Sequence, residues 1–153
     1  MKKQLKSFGF AARGILGAFR TEAHLRFHVA AAVFVLVFAA ICGFSAERFA
    51  ILSVLIGTVL ALELVNTSIE HACNAVTREY SARIKLAKDL AAGAVLVMAI
   101  AAIAVAALFF CNAEAICRIY GFFADCPVAW LPMGALAAAS ALFVALGGGK
   151  KKE

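Results

Sequence analysis

The chain alternates between long apolar runs and short polar breaks. Apolar residues dominate from about 29 to 44, 49 to 70, 90 to 111 and 127 to 146. Each run approaches the roughly 20 residues that a helix needs to cross a bilayer. The first is somewhat short and borrows Phe27 and His28 at its edge. In the second, the uninterrupted apolar part from Phe49 to Leu62 is too short to cross alone, so Glu63 falls within the membrane or at its inner edge. Ahead of the first run, Leu5, Phe8, Ala12, Ile15, Leu16 and Phe19 recur at helical spacing, while Lys6, Arg13 and Arg20 repeat on another face. This pattern predicts an amphipathic helix lying on a membrane surface. Glu22 ends that helix, one turn before Arg26. The expected fold is all-α: an integral-membrane helical bundle with an N-terminal surface helix and four spans.

Composition agrees. The 153 residues are 65% hydrophobic with a mean hydropathy of +0.95, far above the roughly 45–50% of a soluble domain. Length leaves no room for a separate soluble enzyme domain, so any chemistry is built at the membrane or its edge. The net charge of +6 matters less than its placement. Basic residues lie before the first run (Lys2, Lys3, Lys6, Arg13, Arg20, Arg26), between Arg78 and Lys88, and at Lys150, Lys151 and Lys152, with only Arg48 and Arg118 elsewhere. With four spans and both termini in the cytoplasm, every basic cluster falls on the inner side, with the 74 to 88 loop inside and the 112 to 126 loop outside. A nucleic-acid partner is not expected, because these bases bracket apolar runs instead of forming a polar, aromatic-laced surface. Charges continue through Arg26 with no short core and cleavage site, so the N-terminal segment is expected to be retained. The five cysteines show no metal-type spacing. Cys42 and Cys73 read as apolar fillers; for Cys111, Cys117 and Cys126, beside one outer loop, a disulfide and free thiols are both open.

At about 100° per residue, Glu63, Asn66 and Glu70 share one helix face, and Asn74 continues it. A carboxylate in the bilayer costs about 2.5–3.5 kcal/mol on insertion scales, so two on one face need a reason. They could pair with arginines or act as polar glue between helices, or line a cation path. Carboxylates with an amide neighbour near bases also suit metal-assisted phosphoryl transfer: oxygen ligands for Mg²⁺, a further carboxylate as proton acceptor, and a lysine such as Lys88 for phosphoryl charge. No GxxxxGK[ST] or kinase glycine loop is present. Asp89, at the start of the third span, could simply favour the helix N-terminus.

The runs SFGFAARGI and RTEAHLRFH (Ser7 to His28), ELVNTSIEH (Glu63 to His71) and AKDLAAGAVL (Ala87 to Leu96) resemble the prokaryotic integral-membrane diacylglycerol kinase and undecaprenol kinase family, over roughly residues 3 to 110. The resemblance implies a core of residues 1–110, made of the surface helix and three spans, and an appended outer loop, extra span and basic tail over 111–153. It implies a homotrimer in the cell membrane that uses ATP and Mg²⁺ to phosphorylate a lipid alcohol. Position by position, Glu63 matches the general base that also meets the lipid hydroxyl, with Asn66 beside it. Glu22 and Glu70 match the metal-binding glutamates of the ATP site. Lys88 and Asp89 match residues near the phosphates, while Glu79, Tyr80 and Ser81 match the adenine side, with Lys3 nearby. Arg13, on the surface helix, is assigned to lipid substrate. The wording is more similar to the Gram-positive undecaprenol kinases than to Gram-negative diacylglycerol kinases, which makes undecaprenol the expected substrate and diacylglycerol the alternative. A small cation transporter and a non-catalytic relative are more distant alternatives. Three features depart from the family: Asn74 where an aspartate is usual, His24 and Leu25 in place of an asparagine-aromatic pair, and the fourth apolar run.

Overall fold

A computed structural model of the chain describes residues 2–76 and 79–146, with the side chains of 6–76 and 79–145. The lysine tail, Arg78 and the side chain of Lys3 lie outside the described parts. The described residues form α1 (Lys2–Thr21), α2 (Ala23–Ile41), α3 (Ala46–Val76), α4 (Ala82–Phe110), α5 (Ala113–Asp125), a 3-10 turn (Pro127–Ala129) and α6 (Trp130–Leu146), and no strand occurs among them. Four helical segments are long and apolar enough to cross a membrane: Ala23–Ile41, Ala46–Val76, Ala82–Phe110 and Pro127–Ala145. The all-α membrane bundle expected from the hydropathy pattern is the fold found.

α1 leaves Phe8, Phe10, Ile15 and Leu16 exposed while burying Ala18, as suits a helix whose apolar side meets lipid. It stops at Thr21. Glu22 is a one-residue elbow in extended geometry (φ −103°, ψ 111°), and α2 begins at Ala23. The interior is small: Leu25, Ala39, Leu52, Val59 and Val95 are buried, whereas Leu96, Val97, Ile100, Ile103 and Leu108 of α4 face outward. Outward apolar side chains are unremarkable here, because lipid tails are as apolar as leucine.

α3 and α4 have 31 and 29 residues, or roughly 45 Å each at 1.5 Å per residue, against a hydrocarbon core of roughly 30 Å. They therefore project beyond the membrane as a helical hairpin, and both enter the loop expected over 74–88: α3 runs to Val76 and α4 begins at Ala82. Falling hydropathy marks where a span leaves lipid, but nothing there stops a helix: no Gly or Pro occurs between Gly57 and Gly93.

Contacts at the two ends of the bundle fix which helix ends lie together. At one end, Glu22 meets His71 (3.8 Å), Lys88 Nζ donates to Asn74 Oδ1 (2.6 Å), and Arg26 Nη2 donates to the Val144 carbonyl (3.3 Å). At the other, Phe44 packs on Phe109 and Phe110, and Arg118 Nη1 donates to the Cys42 carbonyl (2.8 Å). α2 closes there in a Schellman turn, with Gly43 N–H donating to Ala40 O (3.0 Å) and Phe44 N–H to Ala39 O (3.1 Å). Gly43 has φ +61°, a backbone conformation that favours glycine, and a Cβ on it would come within 2.7 Å of Arg118 Nη1 and push that side chain aside.

The outer loop expected over 112–126 is mostly helix. Asn112 caps α5 by accepting from Ala115 N–H (3.0 Å), Glu114 and Arg118 pair one turn apart (2.8 Å), and Ala115 and Phe123 are buried. Phe123 then stacks on Trp130 (4.2 Å between centroids), joining α5 to α6.

All five cysteines are free thiols; Cys42 is buried, whereas Cys111, Cys117 and Cys126 are exposed. Burial pushes the Cys42 thiol up from its ordinary value, and nearby Arg118 only partly offsets this. A higher value means less thiolate at neutral pH and slower alkylation. Maleimide labelling of the folded protein, mapped by mass spectrometry, is expected to modify the three exposed cysteines well before Cys42. Equal rates would contradict this order.

Candidate active site

Leu52, Val59, Glu63 and Asn66 recur at intervals of seven, four and three, which places all four on the inward face of α3. The side chains that satisfy this face in its apolar half give way to polar ones at Glu63. Glu63 is only 4% exposed, and Asn66 and Thr67 are also buried. One turn on, Glu70, His71 and Asn74 are exposed. The polar stripe thus runs from the interior of the bundle out to its exposed end.

Its two buried members are under-satisfied. Among the described residues no hydrogen-bond donor or cation is paired with the Glu63 carboxylate. Asn66 Oδ1 is buried with no partner. An unsatisfied buried acceptor costs on the order of 1–3 kcal/mol, and such atoms in a folded protein commonly mark a place where water, an ion or a substrate group belongs.

The elbow brings Glu22 to the same turn of α3. Its side chain is 23% exposed, and Oε1 lies 3.8 Å from Nε2 of His71, the residue that follows Glu70. Among the described residues no group of three or more His, Cys, Asp or Glu side chains converges. Besides the His71 imidazole, the side chains on this turn offer hard oxygens: the carboxylates of Glu22 and Glu70 and the orphaned amide oxygen of Asn66. That set fits Mg²⁺, which takes one or two protein carboxylates and otherwise keeps water or phosphate oxygens.

Two hollows flank this end of α3. A cleft of about 700 Å³ between the end of α3 and the start of α4 is lined by Asn74, Glu79, Tyr80, Ser81, Ile84, Lys85 and Lys88. The positions assigned from sequence to the adenine and phosphate side, Glu79, Tyr80, Ser81 and Lys88, are therefore brought together. Ser81 begins α4 without spending its side chain on a cap, and a helix N-terminus favours phosphate. Asp89 is exposed and does not line the cleft. The second hollow, about 610 Å³, lies between α1 and α3 and includes Arg13, Gly14, Gly17, Leu64, Thr67 and His71 in its lining. Arg13 is held by its own helix, with Nε donating to Gly9 O (3.2 Å) and the guanidinium over Phe10. A Cβ on Gly14 or Gly17 would meet nothing within 4 Å, so the α1 wall is low.

A model of prokaryotic diacylglycerol kinases matches residues 9–110, from within α1 to the last residue of α4. The chain belongs to the prokaryotic diacylglycerol kinase family. It is a lipid kinase, and α5 and α6 lie outside the part that this family shares. An undecaprenol kinase of Bacillus subtilis is 42% identical over 114 residues, covering 72% of this chain and 89% of its own. A diacylglycerol kinase of Synechocystis sp. is 39% identical over 102 residues, or 66% of this chain and 58% of its own. No solved structure matches the chain.

Sequence reasoning placed Glu22 near Glu70 but missed His71 as its neighbour, although His71 closes the ELVNTSIEH motif. It also missed that Asn74, one of the departures from the family, accepts from Lys88.

Proposed function

We propose that the protein transfers the γ-phosphoryl group of ATP to the primary hydroxyl of undecaprenol, at the cytoplasmic face of the cell membrane. The observation that carries this reading is the buried residue Glu63, whose carboxylate has no partner among the described residues, beside the orphaned Asn66 oxygen and two turns before the exposed Glu70. A carboxylate without a donor is a ready proton acceptor. Glu63 takes the hydroxyl proton as the lipid oxygen attacks the γ-phosphorus; the new O–P bond forms, the bond to the β-phosphate oxygen breaks, and ADP leaves. Asn66 orients the acceptor. Lys88, in the α3–α4 cleft with Glu79, Tyr80 and Ser81, lies against the nucleotide phosphates and offsets their charge. Glu22 and Glu70 hold Mg²⁺, which when bound neutralises phosphate charge.

In the four-span topology read from the sequence, thirteen of the fifteen basic residues share one side, which supports a cytoplasmic site and cytoplasmic termini. Resemblance supports a homotrimer, with residues 1–110 as the catalytic core. For the acceptor, the Bacillus relative's name favours a polyprenol. So does an apolar cleft of about 400 Å³ among α2, α3 and α4, whose Val59 and Leu60 lie one turn from Glu63.

Purified protein in mixed micelles, given ATP, Mg²⁺ and equal undecaprenol and diacylglycerol, is expected to form undecaprenyl phosphate several-fold faster than phosphatidic acid. The opposite ratio would make diacylglycerol the substrate. No phosphorylated lipid from either would refute the reading.

A further inference from the structure

Arg26 is the most deeply buried charge described in the protein, at 1% exposure. Its fork joins two helices: Nη1 donates to Phe19 O (2.9 Å) in the last turn of α1, and Nη2 to Val144 O (3.3 Å) in the last described turn of α6. Phe19 O lies in the last turn of α1, where carbonyls lack intrahelical partners and carry the negative end of the helix dipole, so the guanidinium caps α1 while tying it to α6. Nε finds no partner, and among the described residues no carboxylate pairs with this side chain. The buried charge therefore depends on those two carbonyls. Phe19 and Phe143 close the same junction, with ring centroids 6.3 Å apart.

Glu22 lies between Phe19 and Arg26 and is the only non-helical residue between α1 and α2. Its side chain makes no bond to the first turn of α2, and its approach to His71 is loose at 3.8 Å. Nothing local aims the carboxylate, so the angle of the elbow must.

We propose that α6, acting through Arg26, is a positioning element for Glu22: the appended span sets the elbow that delivers this carboxylate to the metal. The inference rests on the reading of Glu22 as a Mg²⁺ ligand. Because α6 lies beyond the part matched by the family, residues 9–110, the device belongs to the appended segment. Arg26 is thus a positioning residue and not a catalytic one.

The test uses the full chain with Arg26→Gln, Arg26→Lys, Phe143→Ala and, as reference, Glu22→Gln. For each, the Mg²⁺ concentration giving half-maximal rate and the kcat at saturating Mg²⁺ are measured, with a thermal melt. Loss of a residue supporting a metal ligand typically weakens metal affinity by about 10–100-fold, so Arg26→Gln is expected to raise the half-saturating Mg²⁺ by at least about tenfold. Phe143→Ala, which alters α6 alone, should raise it by a smaller factor, and Arg26→Lys should fall between Arg26→Gln and the parent. In all three, kcat at saturating Mg²⁺ should change much less. A purely structural Arg26 would lower the active fraction and the melt while leaving half-saturation unchanged. Unchanged half-saturation in Arg26→Gln and Phe143→Ala, with Glu22→Gln shifted, would overturn the inference and spare the metal assignment. Unchanged half-saturation in Glu22→Gln as well would remove Glu22 as a ligand, and the inference with it.

Discussion

Replacing Glu63 by glutamine is expected to stop lipid phosphorylation while leaving the protein folded. General base catalysis contributes about 10²–10⁴-fold, and Gln keeps the shape of the side chain while removing its capacity to take a proton, so turnover should fall by at least about a hundredfold. Stability should hold or rise. Glu63 is 4% exposed as a residue and its carboxylate has no donor among the described residues, so replacing it by a neutral side chain breaks no hydrogen bond or ion pair and removes a charge from an apolar setting. An amide in its place carries no charge and can donate to the orphaned Asn66 oxygen one turn away. Radiolabelled phosphate transfer and a thermal melt in the same detergent check both halves. Full activity in Glu63→Gln would remove Glu63 as base; a collapsed melt would instead show that the carboxylate holds the bundle together.

Lys88→Met is expected to lower kcat by about a hundredfold or more, the scale seen when a preorganised group that stabilises transition-state charge is removed. Lys88 sits in the α3–α4 cleft, its Nζ held 2.6 Å from the Asn74 amide oxygen. A neutral acceptor places the ammonium without cancelling it, leaving its charge for phosphate; the aspartate usual in the family would pair with it instead. Asn74 is exposed and can turn to water, so the melt should not move. Initial rates across ATP concentrations separate two outcomes. A fall in kcat assigns Lys88 to the transferring group, whereas a rise in KM alone assigns it to ground-state nucleotide binding.

The spans, the surface helix and the polar stripe were legible because each is periodic: apolar runs near bilayer length, a seven-residue repeat of bases, and carboxylates at helical spacing. What escaped was of two kinds. Helix ends escaped where hydropathy was the guide, since it reports where lipid ends. α3 continues to Val76 because its polar turns contain no Gly or Pro to break them, and α5 was taken for a loop although Asn112 is a ready cap and Glu114 and Arg118 are spaced to pair. Long-range meetings escaped because no local pattern encodes them. Arg26 and Val144 are 118 positions apart, and what joins them is a backbone carbonyl, which leaves no trace in side-chain identity. His71 meets Glu22 only because a single extended residue turns α1 against α3. The ordering along the stripe, buried at Glu63 and exposed at Glu70, likewise depended on the depth of the neighbouring helices.

The residue that opens α2 is a poor choice for starting a helix. N-caps favour Ser, Thr, Asp or Asn, whose short side chains accept from the first-turn N–H groups and add about 1 kcal/mol. Glu22 occupies that position, its side chain forms no such bond, and the first backbone bond of α2, Arg26 N–H to Glu22 O, is stretched to 3.4 Å. A sequence optimised for thermal robustness alone would place serine or aspartate here. Such a residue would be drawn back onto its own helix and would no longer reach across to α3. Screens that rank variants of this protein by melting temperature will therefore favour a substitution that removes the carboxylate proposed above as a metal ligand.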